Sequence, residues 1–196
     1  MDKKLIDFLN KNEQLVNDNN WKELYHTCDQ PLRGDLTKVL NEADIHPELE
    51  LKELPAYFCY SRKDLTSYIV GEQCTRLHKC AFYFAENLKE IILPDNLQQI
   101  GQSCFASCSL ERLVLPSSLR KIGNNAFAWN GTLTELVLDT NIVEIGSNAF
   151  YASDNINIVY KGTMSQFDNI KKLEDWDELD NFRITRVKVN CIDGVY

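Results

Sequence analysis

Histidine and cysteine are the side chains from which acid–base or nucleophilic chemistry near neutral pH would be built, and this chain has three histidines and seven cysteines. A hydrolytic metal site needs closely spaced histidines, as in H-x-x-x-H, but His26, His46 and His78 stand far apart. Cys28 lies two residues from His26. A nucleophile and its base, however, are paired across a fold and not by adjacency in sequence. The spacing therefore predicts no catalytic Cys–His pair.

The remaining motifs support neither a metal site nor a nucleotide site. Cys104 and Cys108 form a C-x3-C pair, but no second pair stands near them to complete the four ligands of a structural zinc. The acidic run EDWDEL lacks the oxygen spacing of a calcium loop and is better interpreted as a solvated turn around Trp176. No P-loop, nucleophile-elbow or dinucleotide motif is present. We therefore expect a protein that is not an enzyme and that needs no metal or cofactor.

An internal repeat supplies the elements that position the other side chains. The segments IGNNAF and IGSNAF, at 122–127 and 145–150, are nearly identical. Phenylalanine recurs at intervals of 22 to 24 residues, at Phe58, Phe82, Phe105, Phe127 and Phe150. Self-similarity at this period is typical of a solenoid, in which each coil is too small to bury its own core.

Within each repeat the side chains predict two short walls and a filled interior. In residues 68–70 the alternation of apolar side chains predicts a strand whose middle residue points outward. A second inward pair, such as Leu119 and Ile122, is expected on the opposite wall, and the Ala-Phe pair fills the coil. Neighbouring coils should pair strand to strand in a parallel sheet. The glycines after the second wall suit either a corner with positive φ or a close backbone approach; they are Gly101, Gly123 and Gly146.

The two segments NLKEIILPDNLQQIGQSCFASC and SLERLVLPSSLRKIGNNAFAWN resemble the BspA-like leucine-rich repeat, over about residues 49 to 160. His78 replaces the glycine of the first full repeat and Cys74 its aliphatic residue, so we expect local distortion there. The tail is similar to the segment that often closes such arrays, through Tyr160, Gly162, Thr163, Ile170, Trp176, Val187, Cys191, Asp193 and Gly194, with Phe167 where tryptophan is more usual. The resemblance implies a fold and a binding character, not a catalytic residue.

The chain is expected to divide into three parts. Residues 1–48 lack the repeat, and apolar side chains at helical spacing predict helices near Leu5–Val16, Trp21–Tyr25 and Leu32–Leu40. A helical bundle there would cover the apolar edge of the first coil. Residues 49–160 hold the repeats, and 161–196 form a closing segment. The predicted fold class is α+β: a short leucine-rich-repeat solenoid with a parallel sheet, capped by an N-terminal helical bundle.

The outward positions of the predicted strands are the candidate binding residues. Ile69, Ile92, Val114 and Val137 should form an apolar stripe, with Ser67, Glu90, Arg112 and Glu135 beside it. Such a stripe has two explanations, the preference of β-branched residues for strands or an exposed patch that binds a protein. The loops after each Ala-Phe pair add aromatic candidates on a rigid scaffold, which are Tyr83, Phe84, Trp129 and Tyr151.

Charge and composition limit the class of partner. The net charge is -8, and residues 1–50 carry eleven carboxylates against six cationic side chains. An acidic chain without basic clusters is not expected to bind nucleic acid directly. No segment has the length and apolarity of a signal peptide or membrane span, so we expect a cytoplasmic protein with reduced cysteines. The leading hypothesis is a non-enzymatic protein-binding module. The alternatives are an acidic inhibitor that occupies the basic, nucleic-acid-binding groove of a partner enzyme, and a surface adhesion fragment.

Overall fold

A computed structural model of the chain describes residues 3–14, 36, 51–177 and 187–196. The helices are α1 Lys3–Lys11 and α2 Met164–Asp168. The strands are β1 Glu53–Leu54, β2 Ser67–Ile69, β3 Arg76–Leu77, β4 Glu90–Ile92, β5 Gln99–Ile100, β6 Arg112–Val114, β7 Lys121–Ile122, β8 Glu135–Leu138, β9 Glu144–Ile145, β10 Asn157–Tyr160, β11 Lys171–Lys172, β12 Val189–Cys191 and β13 Gly194–Val195.

The strands form two walls of a solenoid. The first wall contains the pair β2-β4 and the five-stranded sheet β6-β8-β10-β12-β13, and the second wall is the six-stranded sheet β1-β3-β5-β7-β9-β11. Every pairing in these sheets is parallel except that of β12 with β13. The predicted solenoid with a parallel sheet is therefore confirmed.

The first wall is interrupted between β4 and β6. These strands lie side by side, yet they belong to separate sheets. The corner that leads from Phe105 to Leu110 is one residue shorter than the corner from Phe127 to Leu133. Because the chain has less length with which to reach the next strand, β6 does not come into ladder register with β4.

The interior is filled by a stack of phenylalanine rings. Phe82, Phe105, Phe127 and Phe150 are fully buried, and their successive rings lie nearly parallel, at interplanar angles of 13°, 16° and 10°. A differently oriented ring closes each end: Phe58 meets Phe82 at 69°, and Trp176 meets Phe150 at 82°. An edge-to-face contact is a favourable aromatic arrangement, but it offers no parallel face on which the stack could continue.

Phe58 does not occupy the position in its coil that the regular spacing of phenylalanines in the sequence predicts. The Cys59 amide donates to Ala81 O, just as the Phe82 amide donates to Cys104 O in the next coil. Cys59 therefore occupies the position of the stacked rings, and Phe58 occupies the preceding position, which Ala81 fills in the next coil. This displacement by one residue gives Phe58 its edge-on orientation.

Each coil turns through two left-handed residues that flank the Ala-Phe pair. The first of them are Tyr57, Cys80, Ser103, Asn125 and Asn148, and the second are Ser61, Phe84, Ser107, Trp129 and Ala152, all with φ between 50° and 60°. The corner glycines are not among the positive-φ residues. A Cβ on Gly123 would instead lie 2.6 Å from Gln102 N and Gly101 C of the preceding coil. Of the two explanations for these glycines, the close backbone approach is the one observed.

Three buried side chains, Cys108, Asn130 and Ser153, each link a coil to the one before. The last position of the A-F-x-x-C pattern donates a hydrogen bond to the carbonyl of the preceding coil's stacked phenylalanine. The pairs are Cys108 with Phe82 at 3.2 Å, Asn130 with Phe105 at 2.7 Å and Ser153 with Phe127 at 2.8 Å. Thiol, amide and hydroxyl can each make this bond because each supplies a donor at the same place.

The coil that contains His78 has the same parallel strand pairing on the second wall as the other coils. Arg76 and Leu77 pair with both neighbouring second-wall strands, and the His78 amide donates to Leu54 O at 3.0 Å. The distortion expected from His78 in place of glycine is therefore absent from the second-wall ladder of the described coils.

Residues outside the repeats also contribute to the packing. Phe8 and Leu9 of α1 pack against the hydrophobic core, to which buried Leu36 belongs. The other two predicted helices fall almost wholly outside the described residues, so the predicted helical bundle is not supported. At the C-terminal end, α2 begins in a capping box formed by Thr163 and Gln166. In the described part of the chain, neither helix is long and apolar enough to cross a membrane.

Candidate functional site

The four predicted stripe residues stand at matching positions on the first wall. Ile69 pairs with Ile92, and Val114 pairs with Val137. The exposed fraction is 61% for Ile69, 61% for Ile92 and 50% for Val114, while Val137 is half-buried. The ladder adds half-buried Val159, which pairs with Val137. We call Ile69, Ile92, Val114, Val137 and Val159 the apolar stripe.

Polar residues run along both sides of the apolar stripe. On one side Ser67 pairs with Glu90 and Arg112 with Glu135, and the Arg112 Nε donates to Glu135 Oε1 at 2.6 Å. On the other side Lys161 Nζ lies 3.0 Å from Asp139 Oδ2. The hydrogen bond from Lys161 is the main cause that lowers the pKa of the Asp139 carboxyl. Both cations are thus held by carboxylates of the same wall.

One end of the apolar stripe opens into a groove of about 560 Å³. Its apolar lining consists of Ile69, Val70, Ile92, Leu93 and Pro94. The polar lining consists of Glu72, Asp95 and Asn96. The groove follows the two-stranded part of the first wall, before the interruption between β4 and β6.

The predicted aromatic residues form two separate clusters. Tyr83 contacts Phe84 at 4.5 Å between ring centroids and Tyr60 at 5.7 Å. Trp129 contacts Tyr151 edge-to-face at 5.7 Å. In the backbone register the positions between the clusters are filled by small residues, which are Ala106, Ser107 and Ala128. The structure therefore brings together Tyr83 with Phe84 and Trp129 with Tyr151, but not the two pairs with each other.

Trp129 combines exposure with an unfavourable backbone conformation. Its φ is 57°, a value that is uncommon for a bulky residue, and its side chain is 47% exposed. The equivalent positions in the neighbouring coils hold Ser107 and Ala152. Since neither the core nor the turn requires a large ring at this position, the conformation marks Trp129 as a candidate contact residue.

Four of the six cysteines in the described residues are buried. Cys59, Cys74, Cys80, Cys104, Cys108 and Cys191 are thiols. Burial raises the pKa of Cys108 to about 12 and raises that of Cys104 well above the ordinary thiol value. Thiols that stay protonated at neutral pH are poor nucleophiles. Among the described residues no three His, Cys, Asp or Glu side chains form a group that could hold a metal.

The second wall presents a polar surface. Its outward row consists of Glu53, Arg76, Gln99, Lys121, Glu144 and Lys171. His78 Nε2 lies 2.6 Å from Glu53 Oε2, and this hydrogen bond is the first cause that lowers the pKa of Glu53. A second groove, of about 320 Å³, is lined by Arg76, Arg120 and Lys121 together with neutral side chains and Glu53.

Comparison with known proteins places these coils in a recognised group. The model of the BspA type leucine rich repeat region matches residues 52–173 in six copies. No curated protein matches the chain.

Several solved structures share the fold. A leucine rich cell surface protein from Faecalibacterium prausnitzii has 23% identity and a TM-score of 0.60 over 62% of this chain and 32% of its own. The Leucine Rich Repeat protein of T. pallidum has 27% identity and a TM-score of 0.54, over 63% of this chain and 62% of its own. Pneumococcal vaccine antigen PcpA has 19% identity and a TM-score of 0.51, over 66% and 39%. The chain thus spans about a third of the first protein and less than two thirds of the second.

Proposed function

Because this chain belongs to the BspA-type leucine-rich-repeat family, we propose that it is a non-enzymatic module that binds a protein partner through the apolar stripe. Repeat solenoids provide extended binding surfaces. The exposed side chains of Ile69, Ile92 and Val114 supply apolar area that a partner can remove from water, and each square ångström so buried contributes about 25 cal/mol.

The contrast between the two walls carries this proposal. Strand propensity alone would favour β-branched residues at outward positions of both walls. The outward row of the second wall is instead polar at every position from Glu53 to Lys171. Among the described strands the outward row of Ile and Val lies on the first wall, while on the second-wall side one exposed valine, Val143, stands directly before β9. Propensity alone therefore does not account for the apolar stripe, and this contrast supports a binding role for it.

The test is a pair of variants that change the apolar stripe in different ways. In the first, Ile92, Val114 and Val137 become Asp; in the second, the same three residues become Thr, which keeps the strand-forming shape and the net charge. Partners captured from the native cell by the unchanged protein are identified by mass spectrometry and measured by calorimetry, with the fold checked by circular dichroism. We expect a large loss of affinity with Asp and a smaller loss with Thr. Unchanged affinity in the folded Asp variant would contradict the proposal.

The acidic-inhibitor hypothesis makes a different prediction. The hypothesis rests on the excess of carboxylates in residues 1–50, eleven against six cationic side chains. Reversal of Asp7, Glu13 and Glu23 to Lys should therefore abolish binding, while the Asp variant of the stripe retains it. Binding by charge mimicry should also weaken steeply with salt, whereas burial of the apolar stripe should depend on salt much less. These two variants and a salt series therefore separate the two functions.

The thiols support a cytosolic location, which we also propose. Six cysteines stand as thiols in the described residues, a state favoured where glutathione is reduced. The alternative is the adhesion fragment, and the F. prausnitzii structure that shares the fold is described as a cell surface protein. Thiol titration of the native protein under denaturing, non-reducing conditions should find all seven cysteines reactive. Two or more disulfides would contradict the location.

A further inference from the structure

We propose that the groove beside Ile69 and Ile92 receives an apolar side chain of a partner segment that carries arginine or lysine next to it. This inference rests on the proposed function and adds to it the chemistry of the partner. The groove is about 560 Å³, within the range of sites that enclose small groups.

The shape of the groove selects an apolar anchor. Ile69 and Ile92 are both 61% exposed, and Leu93 and buried Pro94 continue the same lining. An inserted aliphatic side chain would cover these four residues at once and remove their apolar surface from water. The inward residue of the same strand, Ile91, is buried and gives the lining a packed support.

The charges around the groove select a basic flank. Among the described residues that line the groove, Glu72 and Asp95 are carboxylates and none is cationic. Exposed Glu90 stands on the same strand as Ile92. Complementary charge beside an apolar contact raises both the association rate and the specificity. A cationic flank on the partner would therefore be favoured over an acidic one.

Two cations elsewhere on the first wall already have carboxylate partners of their own. Arg112 is directed to Glu135 by a bond of 2.6 Å, and Lys161 is directed to Asp139 by one of 3.0 Å. The groove of the second wall has the opposite character, since Arg76, Arg120 and Lys121 line it. The two grooves thus offer opposite charge preferences within one molecule.

The test uses two short blocked peptides, one with a central leucine flanked on both sides by arginine, and the other with glutamate in place of arginine. Their binding to the full chain is measured by calorimetry at low and high salt. The comparison protein is the double variant Glu72→Gln, Asp95→Asn, which keeps the shape of the groove and removes its charge. At low salt we expect the unchanged protein to bind the arginine peptide about 10-fold more tightly than the glutamate peptide. The double variant should bind the arginine peptide about 3- to 10-fold more weakly than the unchanged protein does.

Three results would overturn the inference: no binding of the arginine peptide, equal affinity for both peptides, or an unchanged affinity for the arginine peptide in the double variant. The inference also fails if the glutamate peptide binds more tightly than the arginine peptide. The proposed function is judged separately, by loss of the captured partner in the Asp variant of the apolar stripe. If the captured partner is lost in that variant but peptide binding to the groove does not depend on charge, the protein-binding function stands and the basic flank of the partner is disproved.

Discussion

Replacement of Gly123 by alanine is expected to destabilise the solenoid by roughly 3 kcal/mol. The new Cβ would lie 2.6 Å from Gln102 N and from Gly101 C. Both obstacles are backbone atoms, so no side chain can rotate away. The preceding coil is also held in place, because the Gly123 amide donates to Ile100 O at 2.9 Å. Relief of the overlap therefore requires the two coils to separate.

The magnitude follows from the two ways in which the coils can respond. Overpacking of a tight interior costs about 1–3 kcal/mol. Separation of the coils weakens ladder hydrogen bonds, each of which contributes about 0.5–1.5 kcal/mol to stability. Because the obstacle is backbone on the ladder itself, both costs apply and the upper part of the range is expected. A domain of ordinary stability, about 5–15 kcal/mol, would remain folded but measurably weaker.

Urea unfolding followed by circular dichroism measures the effect, and Gly131→Ala is the matched control. No atom lies within 4 Å of a Cβ built on Gly131, so alanine there should change the free energy of unfolding by no more than about 1 kcal/mol, in the stabilising direction. Gly123→Asn separates the close approach from a need for positive φ, since asparagine tolerates the left-handed region but still has a Cβ. A loss below about 1 kcal/mol for Gly123→Ala, or an Asn variant as stable as the unchanged protein, would refute the reasoning.

Three further predictions concern the ring stack, the exposed aromatic pair and pH. Phe127→Ala should lower the free energy of unfolding by about 3–5 kcal/mol, because the ring is fully buried; a shift in urea midpoint equivalent to less than about 1 kcal/mol would show that the ring is not core. Trp129→Asn should change stability by less than about 1 kcal/mol, since relief of the left-handed strain offsets the lost contact with Tyr151, but should weaken partner binding by calorimetry; equal binding would remove Trp129 from the interface. The lowered pKa of Asp139 implies that its bond to Lys161 stabilises the fold above the ordinary carboxyl range and that this contribution is lost as pH falls through the lowered pKa. The Asp139→Asn variant should therefore be less stable at neutral pH by up to about 1 kcal/mol, and its difference from the unchanged protein should vanish in acid; a difference that persists in acid would contradict the assignment.

The repeat could be recognised in the sequence because every internal coil needs the same interior side chains. Phe82 to Phe150 repeat for that reason, and the structure stacks them as expected. Phe58 was assigned to the wrong position in its coil, since Cys59 makes the equivalent backbone bond. The error arises at the first coil, where the left-handed turn at Tyr57 sets the register. That backbone conformation has no signature in the side-chain pattern, because Tyr, Cys, Ser and Asn all adopt it here.

The sequence predicted individual outward residues of the apolar stripe, but not how far the stripe extends or where the first wall is interrupted. Alternation of side chains placed Ile69, Ile92 and Val114 outward, as the structure does. Val159 was missed because its segment does not follow the repeat pattern, although the ladder aligns it with Val137. The interruption after Ile92 follows from a corner that is one residue short, and its effect on strand pairing becomes visible only when the coils are stacked.

The edge-on rings at the two ends of the phenylalanine stack have a consequence for how this protein can change in evolution. A coil added or deleted between Phe82 and Phe150 joins one parallel ring to another, so it leaves both terminal contacts as they are. Recombination between nearly identical segments such as 122–127 and 145–150 adds or removes whole coils in this way. A coil added beyond Phe58 or Trp176 would instead meet a ring turned by 69° or 82°, with no parallel face to continue. The geometry of the stack therefore allows whole coils to be gained or lost between Phe82 and Phe150 without any change in the two terminal ring contacts.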